Sequence, residues 1–268
     1  MSRDPAQGVK MNSHALIRWF MLLATSAAAW TAGPVAAGPV GQPLGLATTL
    51  ERAAEPFGLL RLDLGPGPLR SKWQQLVNRL DDERVQLALC DGDRERCASS
   101  AALRLLAIVD QGRARDGRAR LGEINRAINL AIRATSDSAE YGEMDVWSSP
   151  LQTFEHRAGD CEDYAIAKFV ALRLAGVAAD DLRIVILRDA IRGEDHAVTT
   201  ARLDGRWLML DNQRMALVQD SDARQIRPLF VFDEVSISSL QEPTLAADMT
   251  LAGRDSGGTA TRRFASSN

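Results

Sequence analysis

Apolar residues recur at helical spacing in four stretches of the first two thirds of the chain. In the stretch 69–89, for example, Trp73, Leu76 and Leu80 lie on one side of an ideal helix. The same spacing predicts further helices over residues 101–110, 121–134 and 160–174. Gly176 ends the last of these, and a loop that ends at Pro150 is expected over 141–150. The chain is therefore predicted to begin with helices.

After residue 180 the pattern changes to short runs that are rich in β-branched residues. Two of these runs, 196–203 and 206–210, are joined by Asp204-Gly205, a pair that is typical of a two-residue hairpin loop. Further strands are expected at 182–187 and 229–232. The first half of the chain is helical, and the second half has one helix followed by antiparallel strands. This order indicates an α+β fold.

The hairpin loop determines which side chains share a face of the sheet. With Asp204-Gly205 as the loop, His196 and Asp211 become diagonal neighbours on one face, with Cα atoms about 7–8 Å apart. A shift of the register by one residue would move them to opposite faces. This loop therefore predicts that the two side chains are within hydrogen-bonding reach.

A cysteine lies at the predicted start of the 160–174 helix, where Asp160 can act as the N-cap. The helix dipole and the free N–H groups there lower the pKa of a thiol, although the carboxylates of Asp160 and Glu162 act in the opposite direction. With His196 as base and Asp211 as orienting group, Cys161 would complete a Cys-His-Asp nucleophile site. Taken singly, each residue also fits a structural role, as a core cysteine, a structural histidine or a turn-forming aspartate.

The composition is that of an ordinary globular protein, with 46% hydrophobic and 25% charged residues in a chain of 268. The formal net charge is −3 and the basic residues are dispersed, so we expect no nucleic-acid partner.

The first 37 residues are predicted to be a signal peptide. Basic residues precede an apolar run at 19–30 that is too short to span a bilayer, and residues 35–37 fit a small-residue cleavage site. The alternative is an uncleaved N-terminal anchor, and in both cases the remainder is exported. We then expect a linker at 38–68, one domain at 69–241 and a disordered tail at 242–268.

Because the protein is expected to be exported into an oxidising compartment, we also expect a disulfide. Cys90 and Cys97 flank a short turn and are the natural pair, although two free thiols are the alternative. Cys161 would then be left unpaired, which is a hazard in an exported protein unless the thiol is buried or used.

In several stretches the chain resembles the bacterial transglutaminase-like cysteine proteinases. The most specific is Gly-Asp-Cys-Glu-Asp-Tyr at 159–164, and the others lie at 124–129, 145–150, 196–198 and 210–212. The resemblance extends over about residues 69–232 and implies a papain/transglutaminase-like fold, in which N-terminal helices precede a nucleophile helix packed on an antiparallel sheet. By this resemblance Cys161 is the nucleophile, His196 the base and Asp211 the orienting residue.

The resemblance also implies a cofactor and partners. Asp160 and Glu162 match the calcium-linked acidic pair of the family, and Asp145 is a further candidate ligand. The best-known members look like periplasmic proteases that cut large biofilm adhesins near the N-terminus at a di-alanine site, and an inner-membrane receptor for cyclic di-GMP sequesters them. We therefore expect a calcium-dependent periplasmic cysteine endopeptidase that acts on a surface adhesin. The alternatives are a transglutaminase or amidase on the same triad, and a non-catalytic calcium- or peptide-binding module.

Overall fold

A computed structural model of the chain describes residues 55–143 and 145–242. The predicted signal peptide (1–37) lies outside these residues, as does the predicted tail except for Glu242. Among the helices of the described ranges, none is both long enough and apolar enough to cross a membrane.

Within these ranges the helices are α1 (Pro68–Gly92), α2 (Ser100–Arg113), α3 (Gly117–Ala131), α4 (Asp137–Glu140), α5 (Pro150–His156) and α6 (Cys161–Leu174). The strands are β1 (Leu60–Asp63), β2 (Arg133–Ala134), β3 (Ala158–Gly159), β4 (Leu182–Asp189), β5 (Glu194–Leu203), β6 (Arg206–Leu210), β7 (Val218–Gln219), β8 (Ile226–Phe232) and β9 (Ile237–Gln241). The four predicted helices and four predicted strands are confirmed, with ends that differ by a few residues.

A seven-stranded antiparallel sheet, in the order β1-β9-β8-β4-β5-β6-β7, forms one layer of the fold. The β5–β6 hairpin has the predicted register, because Leu203 pairs with Arg206. Asp204 and Gly205 in its loop have φ values of 52° and 74°, as a two-residue loop with both central residues at positive φ requires. The prediction of this turn is therefore confirmed.

Helix α6 packs on one face of this sheet. The Oγ1 of Thr199 donates a buried hydrogen bond of 2.6 Å to the carbonyl of Ala165, which connects β5 to the first half of α6. Ala197 belongs to the cluster on the helix side, whereas Val198 belongs to a second apolar cluster on the other face. Helices ahead of α6, which itself packs on an antiparallel sheet, correspond to the expected papain/transglutaminase-like α+β fold.

The last part of the segment 38–68, which was expected to be a linker, belongs to the folded domain. Residues 60–63 form β1, which pairs with β9, and the guanidinium of Arg61 lies 2.8 Å from Asp233 and 3.2 Å from Glu55. A four-residue strand carries too short a pattern to recognise, and its partner lies almost at the other end of the described residues. The folded domain therefore includes residues ahead of position 69.

Cys90, at the end of α1, forms a disulfide with Cys97 in the connection to α2. Replacing both residues by Ser should lower the free energy of unfolding by about 2–3 kcal/mol, because the bond closes a short loop in the unfolded chain. Denaturant unfolding of the oxidised protein and of the double variant measures this difference. Equal unfolding midpoints would contradict a stabilising role for this bond.

Candidate active site

The start of α6 is fixed by a buried carboxylate. Asp163 is fully buried, and its carboxylate accepts hydrogen bonds from the backbone N–H of Ser148 at 2.8 Å and of Asp160 at 3.3 Å. The second of these bonds is the back-reaching half of a capping box. Burial raises the pKa of Asp163 to about 7, although the bond from Ser148 acts against the shift. Cys161 is thereby held in the first turn of the helix.

His196 at the beginning of β5 and Asp211 just after β6 are in direct contact. The Nε2 of His196 lies 2.9 Å from Oδ1 of Asp211, and both side chains are largely buried. Because a carboxylate only accepts, Nε2 carries the proton and Nδ1 of a neutral ring carries the lone pair. Burial alone would raise the pKa of Asp211, but hydrogen bonds from His196 and from the N–H of Gln213 outweigh it, and the pKa is lowered.

Cys161 and His196 line the same open cleft, which has a volume of about 400 Å³. The thiol does not hydrogen bond to His196 here and instead donates to the carboxylate of Glu162, at 2.8 Å. Burial, followed by the charge of Glu162, raises the pKa of the Cys161 thiol, whereas the backbone N–H of Ala197 acts to lower it. The structure thus brings His196 and Asp211 together and leaves the thiol beside them in its protonated form.

Three carboxylates converge next to the thiol. Asp137, Asp160 and Glu162 each offer an oxygen, and these oxygens all lie within 4.8 Å of one another. Burial, followed by the charge of Glu162, raises the pKa of Asp160 to about 9. The Oδ1 of Asp160 is buried and has no hydrogen-bond partner among the described residues. Oxygen atoms in this arrangement suit a hard divalent cation.

Asp145, which the sequence suggested as a ligand, lies outside this cluster. Its Oδ1 is 2.6 Å from the ammonium of Lys72 and 3.0 Å from the indole N–H of Trp147, and its side chain is 68% exposed. The lysine already balances the charge of Asp145, and Asp137, which was not predicted, takes its place beside Asp160 and Glu162 in the cluster. Sequence reasoning missed Asp137 because it lies in a one-turn helix that no periodic pattern marks.

A sequence model of a family described as bacterial transglutaminase-like cysteine proteinase matches residues 86–225, which is more than half of the chain. The chain belongs to this proteinase family. It is accordingly a cysteine protease, and the matched region contains Cys161, His196 and Asp211.

Solved structures resemble the proteinase at low sequence identity. Legionella pneumophila LapG is 21% identical, over 58% of this chain and 86% of LapG, with a TM-score of 0.48. The calcium-bound form of Legionella pneumophila LapG is 20% identical, over 53% of this chain and 92% of its own, with a TM-score of 0.39. No curated protein sequence matches the proteinase.

Proposed function

We propose that the proteinase is an endopeptidase with Cys161 as nucleophile, His196 as general base and Asp211 as orienting residue. The observation that carries this proposal is the 2.9 Å bond between Nε2 of His196 and Asp211. It favours the tautomer in which Nδ1 is the proton acceptor, and His196 lines the cleft that also contains the thiol. An acceptor in that cleft is what a cysteine nucleophile requires.

Each residue then has one chemical task. The Nδ1 of His196 takes the thiol proton, and Asp211 stabilises the imidazolium that forms. The Cys161 thiolate attacks the peptide carbonyl, and the C–N bond breaks as His196 gives its proton to the leaving amine. Water, deprotonated by His196, then hydrolyses the thioester and restores the thiol. The backbone N–H of Cys161, at the N-terminus of α6, is our candidate donor to the developing oxyanion.

Calcium is the cofactor that we propose for the acidic cluster, with Asp160 and Glu162 as ligands and Asp137 as a third. The fit is supported by the convergence of their oxygens within 4.8 Å and by the buried, unpartnered Oδ1 of Asp160 in the described region. When bound, calcium would offset the negative charge that disfavours the thiolate of Cys161.

We also propose a substrate, a partner and a location, which the family resemblance supports. The substrate is a large surface adhesin that is cut near its N-terminus to control attachment, and an inner-membrane receptor for cyclic di-GMP is the proposed regulator. Both require the proteinase to act in the periplasm, and we propose that residues 1–37 are removed during export. The proposed catalytic domain then begins near residue 55 and ends near residue 241.

Hydrolysis rather than transfer is the expected reaction. When an adhesin fragment with a di-alanine site is incubated with the proteinase, calcium and a fluorescent primary amine, we expect two unlabelled fragments. The new carboxyl terminus should carry an oxygen from water, because water resolves the thioester. Mass spectrometry of both fragments measures this, and the Cys161→Ala variant is the control. Fluorescent amine attached to uncut substrate would instead support a transglutaminase.

A further inference from the structure

Lys168 is a fully buried lysine on α6, two turns after Cys161. Its Nζ lies 3.4 Å from the carbonyl oxygen of Leu210, the residue immediately before Asp211. This is its one hydrogen bond to another described residue, and the bond is long. A buried ammonium is strongly unfavourable unless opposite charge or further hydrogen bonds compensate it. Something near Leu210 must therefore balance this charge.

The opposite charge that acts on Lys168 is the carboxylate of Asp211, without a direct contact between the two groups. Burial lowers the pKa of Lys168 to about 7, and Asp211 is the charged group that opposes this shift. Burial alone would raise the pKa of Asp211. Hydrogen bonds from His196 and Gln213, together with the charge of Lys168, outweigh this effect, and the pKa of Asp211 is lowered. The ring of Tyr164, with its centroid 5.7 Å from Nζ, adds an aromatic face but no charge. Lys168 and Asp211 therefore stabilise each other's ionised form.

The turn that carries Asp211 is also held by two amides of α3. The Nδ2 of Asn129 donates to the carbonyl of Asp211 at 2.9 Å, and that of Asn125 donates to the carbonyl of Arg214 at 3.0 Å. These amides fix the backbone but bring no charge. Unlike these amides, Lys168 acts on both the backbone next to Asp211 and the carboxylate of Asp211.

We propose that Lys168 is a positioning residue that acts through Asp211. From inside the core, its ammonium holds the carbonyl of Leu210 and balances the carboxylate of Asp211, so that Asp211 keeps His196 in the tautomer required of a base. The inference rests on the proposed function for its effect on catalysis. Its effect on the Asp211 carboxylate, in contrast, is a property of the fold and is measurable without any substrate.

The first test is a double-variant cycle on thermal unfolding, with Lys168→Met and Asp211→Asn. In the unaltered background, Asp211→Asn leaves the buried charge of Lys168 uncompensated. The loss of Tm caused by Asp211→Asn should therefore be larger, by about 3 °C or more, in that background than in the Lys168→Met background. Asp110→Asn, which removes a carboxylate paired with Arg94 and Arg113, is the matched control and should be additive with Lys168→Met. If Lys168→Met does not fold, Lys168→Gln replaces it. Additive losses for Lys168 and Asp211 would overturn the proposal.

The second test reads the tautomer of the His196 ring by ¹⁵N NMR. Lys168→Met should increase the fraction of neutral rings that carry the proton on Nδ1. It also removes a nearby positive charge, so the acidic limb of peptide cleavage, which reports protonation of the base, should move to higher pH. A purely structural lysine would lower activity at every pH and would change neither the tautomer nor the position of this limb. The other titratable or charged side chains that line the two cavities around His196 stay unchanged in the variant, namely Asp160, Cys161, Asp189, Arg192, Glu194, Asp195, Asp211, Arg214 and Arg224.

An unchanged His196 tautomer, together with an unmoved acidic limb, would overturn the role of Lys168. If the unaltered proteinase cleaves no peptide at all, the proposed function fails instead. The unfolding cycle and the ring tautomer still decide the proposal for Lys168 in that case.

Discussion

Replacing Cys161 with Ala should abolish peptide cleavage and leave Tm within about 2 °C of the unaltered protein. The thiol supplies the electron pair for attack, and no other side chain in the proposed mechanism can replace it. The side chain is only half-buried at the start of α6, so losing its sulfur should disturb little packing. Cleavage of an adhesin fragment and calorimetry measure the two quantities. Retained cleavage by this variant would refute Cys161 as nucleophile.

Variants of His196 and Asp211 should each lose catalytic activity, and the two losses should not be additive. His196→Gln removes the base, and Asp211→Asn permits the tautomer that protonates Nδ1, so each should lower kcat by about 10³-fold or more. Combining them should cost little more than the larger single loss, because the residues act as a unit. Asp195→Asn is the matched control, because Asp195 lines the same cleft but pairs with Arg188. An equal loss in this control would indicate a general effect of charge in the cleft.

Removing calcium should inactivate the proteinase and make its stability depend on pH. The folded-state pKa values of Asp163 and Asp160, about 7 and about 9, lie above the ordinary value of 3.8. Folding therefore favours their protonated forms, so the stability these groups provide is full below about pH 4 and is lost as the pH rises through about 7 and then about 9. The contribution of these two groups should consequently give the chelated protein a lower Tm at about pH 8 than at about pH 6.

Added calcium should raise Tm most at the higher pH, because there the proposed ligands are closest to losing their protons. Fluorescence-monitored unfolding with chelator and with calcium, at both pH values, measures this. Asp160→Asn and Glu162→Gln should each weaken the calcium response. Asp195→Asn serves as the matched control, because Asp195 lines the same cleft but pairs with Arg188 and lies outside the acidic cluster. A proteinase that cleaves equally well in excess chelator would contradict the proposed cofactor.

Local signals predicted much of the site. Asp204-Gly205 specified the hairpin register that brings His196 to Asp211, and helical spacing located the start of α6. Both depend on residues close together in the chain, where turn chemistry and periodicity are informative. The roles assigned to Cys161, His196 and Asp211 are still proposals.

What the sequence did not reveal depends on distant contacts. Asp137 joins Asp160 and Glu162 only through the packing of a one-turn helix. The hydrogen bond from the thiol to Glu162 depends on side-chain conformation, which no spacing rule specifies. Lys168 did leave a signal, since a lysine within the apolar stretch of α6 is unusual and implies a buried partner.

The most direct test of the account is to trap the acyl-enzyme. The proteinase is mixed with calcium and a peptide ester, quenched in acid within one turnover, and examined by intact-mass and peptide mass spectrometry. The account predicts one acyl group per chain, attached to Cys161 as a thioester, and none on the His196→Gln variant. Turnover of the ester with no acyl group on Cys161, or with an acyl group on another side chain, would contradict it.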